Sequence, residues 1–142
     1  YFLLHILETT EHTSAATLTQ QAINQGAKTI IACGGDGTVT EVATELVNTD
    51  IAMGILPMGT ANALAHVLLG FSTKLIPVGV ACDVIITGQV KKIDSAKCND
   101  ALMLLLAGLG FEHKMIASAA IKYQYYKLAL MIYPKKPLKQ QA

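Results

Sequence analysis

Two glycine-containing turns, each entered from a short apolar strand and left through a helix, constrain this chain more than any other feature. Thr29-Ile30-Ile31-Ala32-Cys33 is apolar and partly β-branched, and it runs straight into Gly34-Gly35-Asp36-Gly37-Thr38. Ala52-Met53-Gly54-Ile55-Leu56 likewise runs into Pro57-Met58-Gly59-Thr60, after which Ala61 to Leu69 reads as helix until Gly70. Strands alternating with helices in this way predict βαβ crossovers, hence a parallel sheet covered on both faces. Upstream, Tyr1 to Leu7 is an apolar run of strand length. Ala15, Leu18, Ala22 and Ile23 then recur at helical spacing from Ser14 until Gly26, which supplies a left-handed stop. Thr38 and Glu41 form a capping-box pattern for the helix after the first turn. Downstream the pattern predicts a helix over Val78 to Ile86 and strands over Lys91 to Ala96 and Ala101 to Ala107. The polar turn Cys98-Asn99-Asp100 joins that last pair, which switches toward antiparallel pairing.

The chain has 142 residues, 52% of them hydrophobic, which suits one globular core and excludes a disordered or collagen-like chain. A net charge of +1 conceals an asymmetry, because residues 1 to 112 carry ten acids against five Lys and the charged residues beyond Glu112 are all Lys. Every basic residue is Lys. Without Arg there is no planar fork for phosphate or guanine, and with few aromatics and no basic stretch in the body, nucleic acid is a poor partner. Ala101 to Leu109, the longest apolar stretch, is too short to cross a bilayer. Cys33, Cys82 and Cys98 stand apart and read as buried free thiols, in keeping with a reducing cytoplasm. A start at Tyr1-Phe2-Leu3-Leu4, with neither Met nor a basic leader, reads as internal to a longer protein.

In a parallel α/β sheet, ligands bind beyond the carboxyl ends of the strands, where turns enter helices. Gly34-Gly35-Asp36-Gly37-Thr38 falls there. Its glycines allow positive φ and close approach of backbone N–H groups to an anion, and the next helix presents its positive end. It is neither a GxxxxGK[ST] loop, since no lysine is built in, nor a GxGxxG fingerprint. For Asp36, a structural turn role and a chemical one both remain open.

The stretches GGDGTVTEV (Gly34 to Val42) and GILPMGTANALAH (Gly54 to His66) resemble the diacylglycerol kinase catalytic-domain superfamily. Lys92-Ile93-Asp94 and Ala107-Gly108-Leu109-Gly110-Phe111-Glu112 are similar to its later segments. Thr10-Glu11 with Ser14-Ala15-Ala16 is similar to the polar turn before its first nucleotide contacts. The resemblance implies an α/β, three-layer Rossmann-like fold of the NAD kinase and diacylglycerol kinase type, with ATP and Mg²⁺ as cofactors and a lipid as acceptor. It places Thr10, Gly34, Gly35, Asp36, Gly37, Thr38, Thr40, Gly59, Thr60 and Asn62 at the nucleotide, with Asp36 the one candidate for a catalytic role, and assigns no metal ligand.

His66 stands where bacterial members usually carry Arg, and it reads better as a helix-face residue than as a phosphate contact. The family's general base lies in a β-sandwich domain that follows. Nothing after Glu112 is acidic, so that base is expected outside this chain, as is the family's opening strand, often Asn-Pro, before Tyr1. Residues 1–116 are thus expected to be the nucleotide-binding domain, and 117–142 a basic tail or the start of a second domain. The Lys- and Tyr-rich stretch from Tyr123 to Tyr133 leaves a peripheral contact with the inner membrane surface open, and a homo-oligomer is open too. An NAD kinase-like enzyme and a non-enzymatic nucleotide sensor are the competing readings. The PMGTAN turn favours the lipid-kinase branch.

Overall fold

A computed structural model of the chain describes residues 2–69, 78–88, 90–98, 100–105 and 128–134. Strand β1 (Phe2–Glu8) leads to helix α1 (Ala15–Asn24). Ser14 is in extended backbone and its hydroxyl accepts from the Thr17 N–H at 3.2 Å, so the helix starts where the polar cap meets the first apolar residue. Gly26 ends it at φ 83°, the stop its sequence predicts. Strand β2 (Thr29–Gly34), helix α2 (Asp36–Leu46), strand β3 (Ala52–Pro57) and helix α3 (Ala63–Leu69) complete the two strand–turn–helix units. Helix α4 (Val78–Thr87) follows, and then a hairpin of two short strands, β4 (Ala96–Cys98) and β5 (Ala101–Met103). The antiparallel pairing of β4 and β5 is as expected, but β4 is displaced, overlapping the expected strand at Ala96 alone and taking in Cys98, which the pattern puts in the turn, and β5 ends at Met103. Strand β6 (Leu128–Pro134) comes last.

β2 and β3 pair in parallel, with Ile30 opposite Met53 and Gly34 opposite Pro57. The main sheet has the order β1-β6-β2-β3, and β6 is antiparallel to both of its neighbours. Two antiparallel steps leave β1, β2 and β3 all pointing the same way. Glu8 and Cys33 lie opposite the same residue of β6, Leu128, so the turns after β1, β2 and β3 leave the sheet at one edge.

The alternation of β2 divides the core into two layers. Ile30 and Ala32 pack with Ala15 and Ala22 of α1, Val39, Val42 and Leu46 of α2, and Leu64 of α3. Ile31 and Cys33, on the other face, pack with Leu56 and with Ala81, Cys82 and Ile85 of α4. Helices therefore cover the sheet on both sides, as the buried, near-continuous apolar pattern of β2 demands. Among the described residues no helix is long and apolar enough to cross a membrane.

Burial, with Cys82 adding to it, pushes the Cys33 thiol above its ordinary value of 9.0. The folded state then holds this proton more tightly than the unfolded chain does. Stability is fully present below the ordinary thiol value and falls as pH rises through the folded one. Urea midpoints measured across the alkaline range are expected to drop in the wild type and to drop less in Cys33→Ala.

Candidate functional site

The site is built by two turns that touch. Where β2 ends, α2 begins at Asp36 with Gly35 as its N-cap, and no side chain caps it. The N–H groups of its first turn are left to an external acceptor, at the positive end of the helix. The expected capping box is therefore not formed. The helix starts three residues earlier than that pattern required, with Gly35 rather than Thr38 as its N-cap, and Glu41, now in its second turn, reaches another helix: its Oε2 accepts from the Ala15 N–H at 3.0 Å.

Nor do the loop glycines work through positive φ. Gly35 is at φ −88°, and Gly26 is the positive-φ glycine among the described residues. They work by absence of a side chain. A Cβ on Gly34 would lie 2.6 Å from the Thr38 hydroxyl, and one on Gly35 would lie 3.2 Å from Gly59 Cα. A Cβ on Gly59 would overlap Gly35 Cα outright. The two turns thus meet backbone to backbone, and the Met58 N–H donates to the Gly34 carbonyl at 3.0 Å across the same junction.

Asn62 shapes the second turn. At φ 49°, its Oδ1 accepts from the Gly59 N–H at 2.8 Å while its Nδ2 donates to the Gly59 carbonyl at 2.7 Å. Asp36 joins the turns a second time, its Oδ1 accepting from the Leu64 N–H at 3.4 Å.

Gly34, Gly35, Asp36, Thr38, Gly59 and Asn62 are brought together. Gly37 and Thr60 are exposed at the same two turns. Thr40, one turn into α2, donates its hydroxyl to the Asp36 carbonyl at 2.8 Å, and Thr38 is buried at 2% exposure beneath Gly34. Thr10 lies in the turn after β1, where its hydroxyl accepts from the His12 N–H at 3.2 Å and its backbone pairs with Thr13. His66 is half-buried on α3, which suits a helix-face residue. Asp94 is exposed in the segment before β4, and Ala107 to Glu112 lie outside the described residues, as do the lysines beyond Glu112. A groove along α1, lined by residues that include Gln20, Gln21, Asn24 and Glu45, contains none of the predicted residues.

What the sequence pattern missed are the partners across the fold: Met58 for Gly34, Leu64 for Asp36 and Ala15 for Glu41. Separations of 26 and 28 residues leave no local signal for the last two.

Residues 2–98 match the family model described as the diacylglycerol kinase catalytic domain. An uncharacterized protein of a Synechocystis strain is 51% identical over 100 residues, 70% of this chain and 22% of its own length. Proteins named as a probable lipid kinase YegS-like, from an Enterobacter strain, and a probable lipid kinase YegS, from Escherichia fergusonii, are 38% and 41% identical. Each of these two matches covers more than two thirds of this chain (69% and 68%) but only 33% and 32% of the relative. The chain thus spans a third or less of the length of these relatives.

Proposed function

The chain belongs to the diacylglycerol kinase catalytic-domain family, and from that premise we propose that it is the ATP-binding part of a lipid kinase that moves the γ-phosphate of ATP to a lipid hydroxyl of diacylglycerol or sphingoid type. The observation that carries this is the uncapped start of α2, held against the Met58–Asn62 turn by two glycines whose side-chain positions are filled by backbone. Such a surface offers N–H donors and a helix dipole to phosphate oxygens and leaves no room for a side chain between them. The residues that would hold the nucleotide are Gly35 and Gly37 on one turn and Thr60 on the other; Thr38 is buried and the Gly59 N–H is taken by Asn62, so those two shape the cradle.

Mg²⁺ fits as a companion of the nucleotide. Mg²⁺ commonly takes part of its ligand set from substrate phosphates, so the nucleotide itself would supply ligands here. When bound, it neutralises charge on the transferred group. In a body that carries ten acids, five Lys and no Arg through residue 112, the chain's own share of that task falls to backbone dipoles. This nucleotide half comprises residues 1–116 together with β6, which pairs between β1 and β2. The proton acceptor lies in another part of the protein, which works in the cytoplasm or at the inner membrane surface.

Calorimetry with Mg-ATP tests the cradle. The wild type is expected to bind weakly at one site and Gly35→Val to lose that binding, with no phosphate transferred by the chain alone. Equal binding by both, or none by the wild type, overturns the reading. For the full-length protein with Mg-ATP and lipid extract, label is expected in lipid; label in NAD instead would establish the NAD kinase-like alternative.

A further inference from the structure

Helix α2 caps its two neighbours. Each of α1 and α3 begins with backbone N–H groups that their own turns do not all satisfy. In α1, Ser14 takes the Thr17 N–H, and the Ala15 N–H goes to Glu41 Oε2 at 3.0 Å. In α3 the residue in the capping position, Asn62, has turned its amide back onto Gly59, and the Leu64 N–H goes instead to Asp36 Oδ1 at 3.4 Å. Both acceptors are carboxylates of α2, and the turns they secure are those after β1 and β3. An acid near a helix start is stabilised by the dipole there, which gives both contacts the favourable sign.

A carboxylate at the mouth of a phosphate cradle otherwise works against binding. The body of this chain is already acidic, and one more negative charge beside the incoming phosphates repels them. Asp36 needs a reason to be there that outweighs this. We infer that Asp36 is a positioning residue: its carboxylate acts through the Leu64 N–H to hold the Met58–Asn62 turn in register with Gly35, and Glu41 does the same for the turn before α1. The two side chains make the three turns one preassembled unit.

This inference rests on the nucleotide reading in its affinity arm alone, because the cap itself is measured without ligand. Hydrogen exchange at the Leu64 amide is expected to quicken about fivefold in Asp36→Ala, as for loss of a helix cap. It is expected to return to the wild-type rate in Asp36→Asn, whose amide oxygen is still an acceptor. Mg-ATP affinity is expected to follow: weaker in Asp36→Ala, and at or above the wild-type value in Asp36→Asn, which keeps the bond and sheds the charge. A positioning role is overturned if Asp36→Asn binds Mg-ATP as poorly as Asp36→Ala, the result for a carboxylate that holds the metal or takes a proton. It is equally overturned if Leu64 exchange is the same in Asp36→Ala and the wild type. Should the wild type bind no Mg-ATP, the proposed function fails, and the exchange arm still decides the cap.

Discussion

Replacing Gly59 with alanine is expected to cost this chain most of its nucleotide binding, and replacing Gly35 with alanine to cost less. The difference comes from geometry at one junction. A Cβ on Gly59 overlaps Gly35 Cα and also lies 2.9 Å from Asn62 Oδ1, so the turn must move and its Asn62 ring must open. A Cβ on Gly35 lies 3.2 Å from Gly59 Cα, a tight contact that a small shift relieves. Overpacking of a close contact costs about 1–3 kcal/mol, which corresponds to roughly 5- to 150-fold in affinity if it is spent on reopening the site. Calorimetric titration with Mg-ATP checks the order wild type, Gly35→Ala, Gly59→Ala, and circular dichroism checks that both variants keep the fold. The reverse order would mean that the second turn does not pack on the first as described.

The second large effect is expected in the core. Ile30 and Ile31 are 0% and 1% exposed on opposite faces of β2, so each truncation to alanine empties a different layer. Ile30→Ala opens a cavity against α1, α2 and α3, and Ile31→Ala one against α4. Each is expected to lose about 2–4 kcal/mol, or roughly 10 °C in melting temperature. Ile30→Ala should lie at the upper end, because its cluster is shared by three helices. Thermal melts followed by far-ultraviolet circular dichroism decide it; a shift confined to one of the two variants would show that one face of the sheet is not covered as described.

Much of this was legible beforehand, for identifiable reasons. β2, β3, α1 and α4 are marked by runs and periodicities that belong to their own residues, and Ser14 and Gly26 mark the ends of the first helix chemically. The start of α2 was placed too late because Thr38 and Glu41 spell a capping box, a local rule that the tertiary fold overrides: Thr38 is buried beneath Gly34 and Glu41 is drawn to α1. Near residue 100 the local pattern sets one strand too early, over Lys91 to Ala96, and runs the other past Met103, because composition does not say which part of a segment will find a pairing partner. Nor does the apolar run at Leu128–Pro134 say that it pairs between β1 and β2, two strands that follow one another in the chain. Strand order depends on contacts far apart in sequence, to which periodicity is blind.

The sequence by itself determined the parallel strand–turn–helix grammar, the two glycine turns at the strand ends and the family they belong to. It also determined that any anion must be held without arginine, since the chain has none. Only the tertiary structure decided what those glycines and acids do. Gly35 and Gly59 are glycine because two backbones meet there, not because either needs positive φ. Asp36 and Glu41 are acids whose partners are N–H groups of other helices, brought within bonding distance when the sheet aligns three strand ends at one edge.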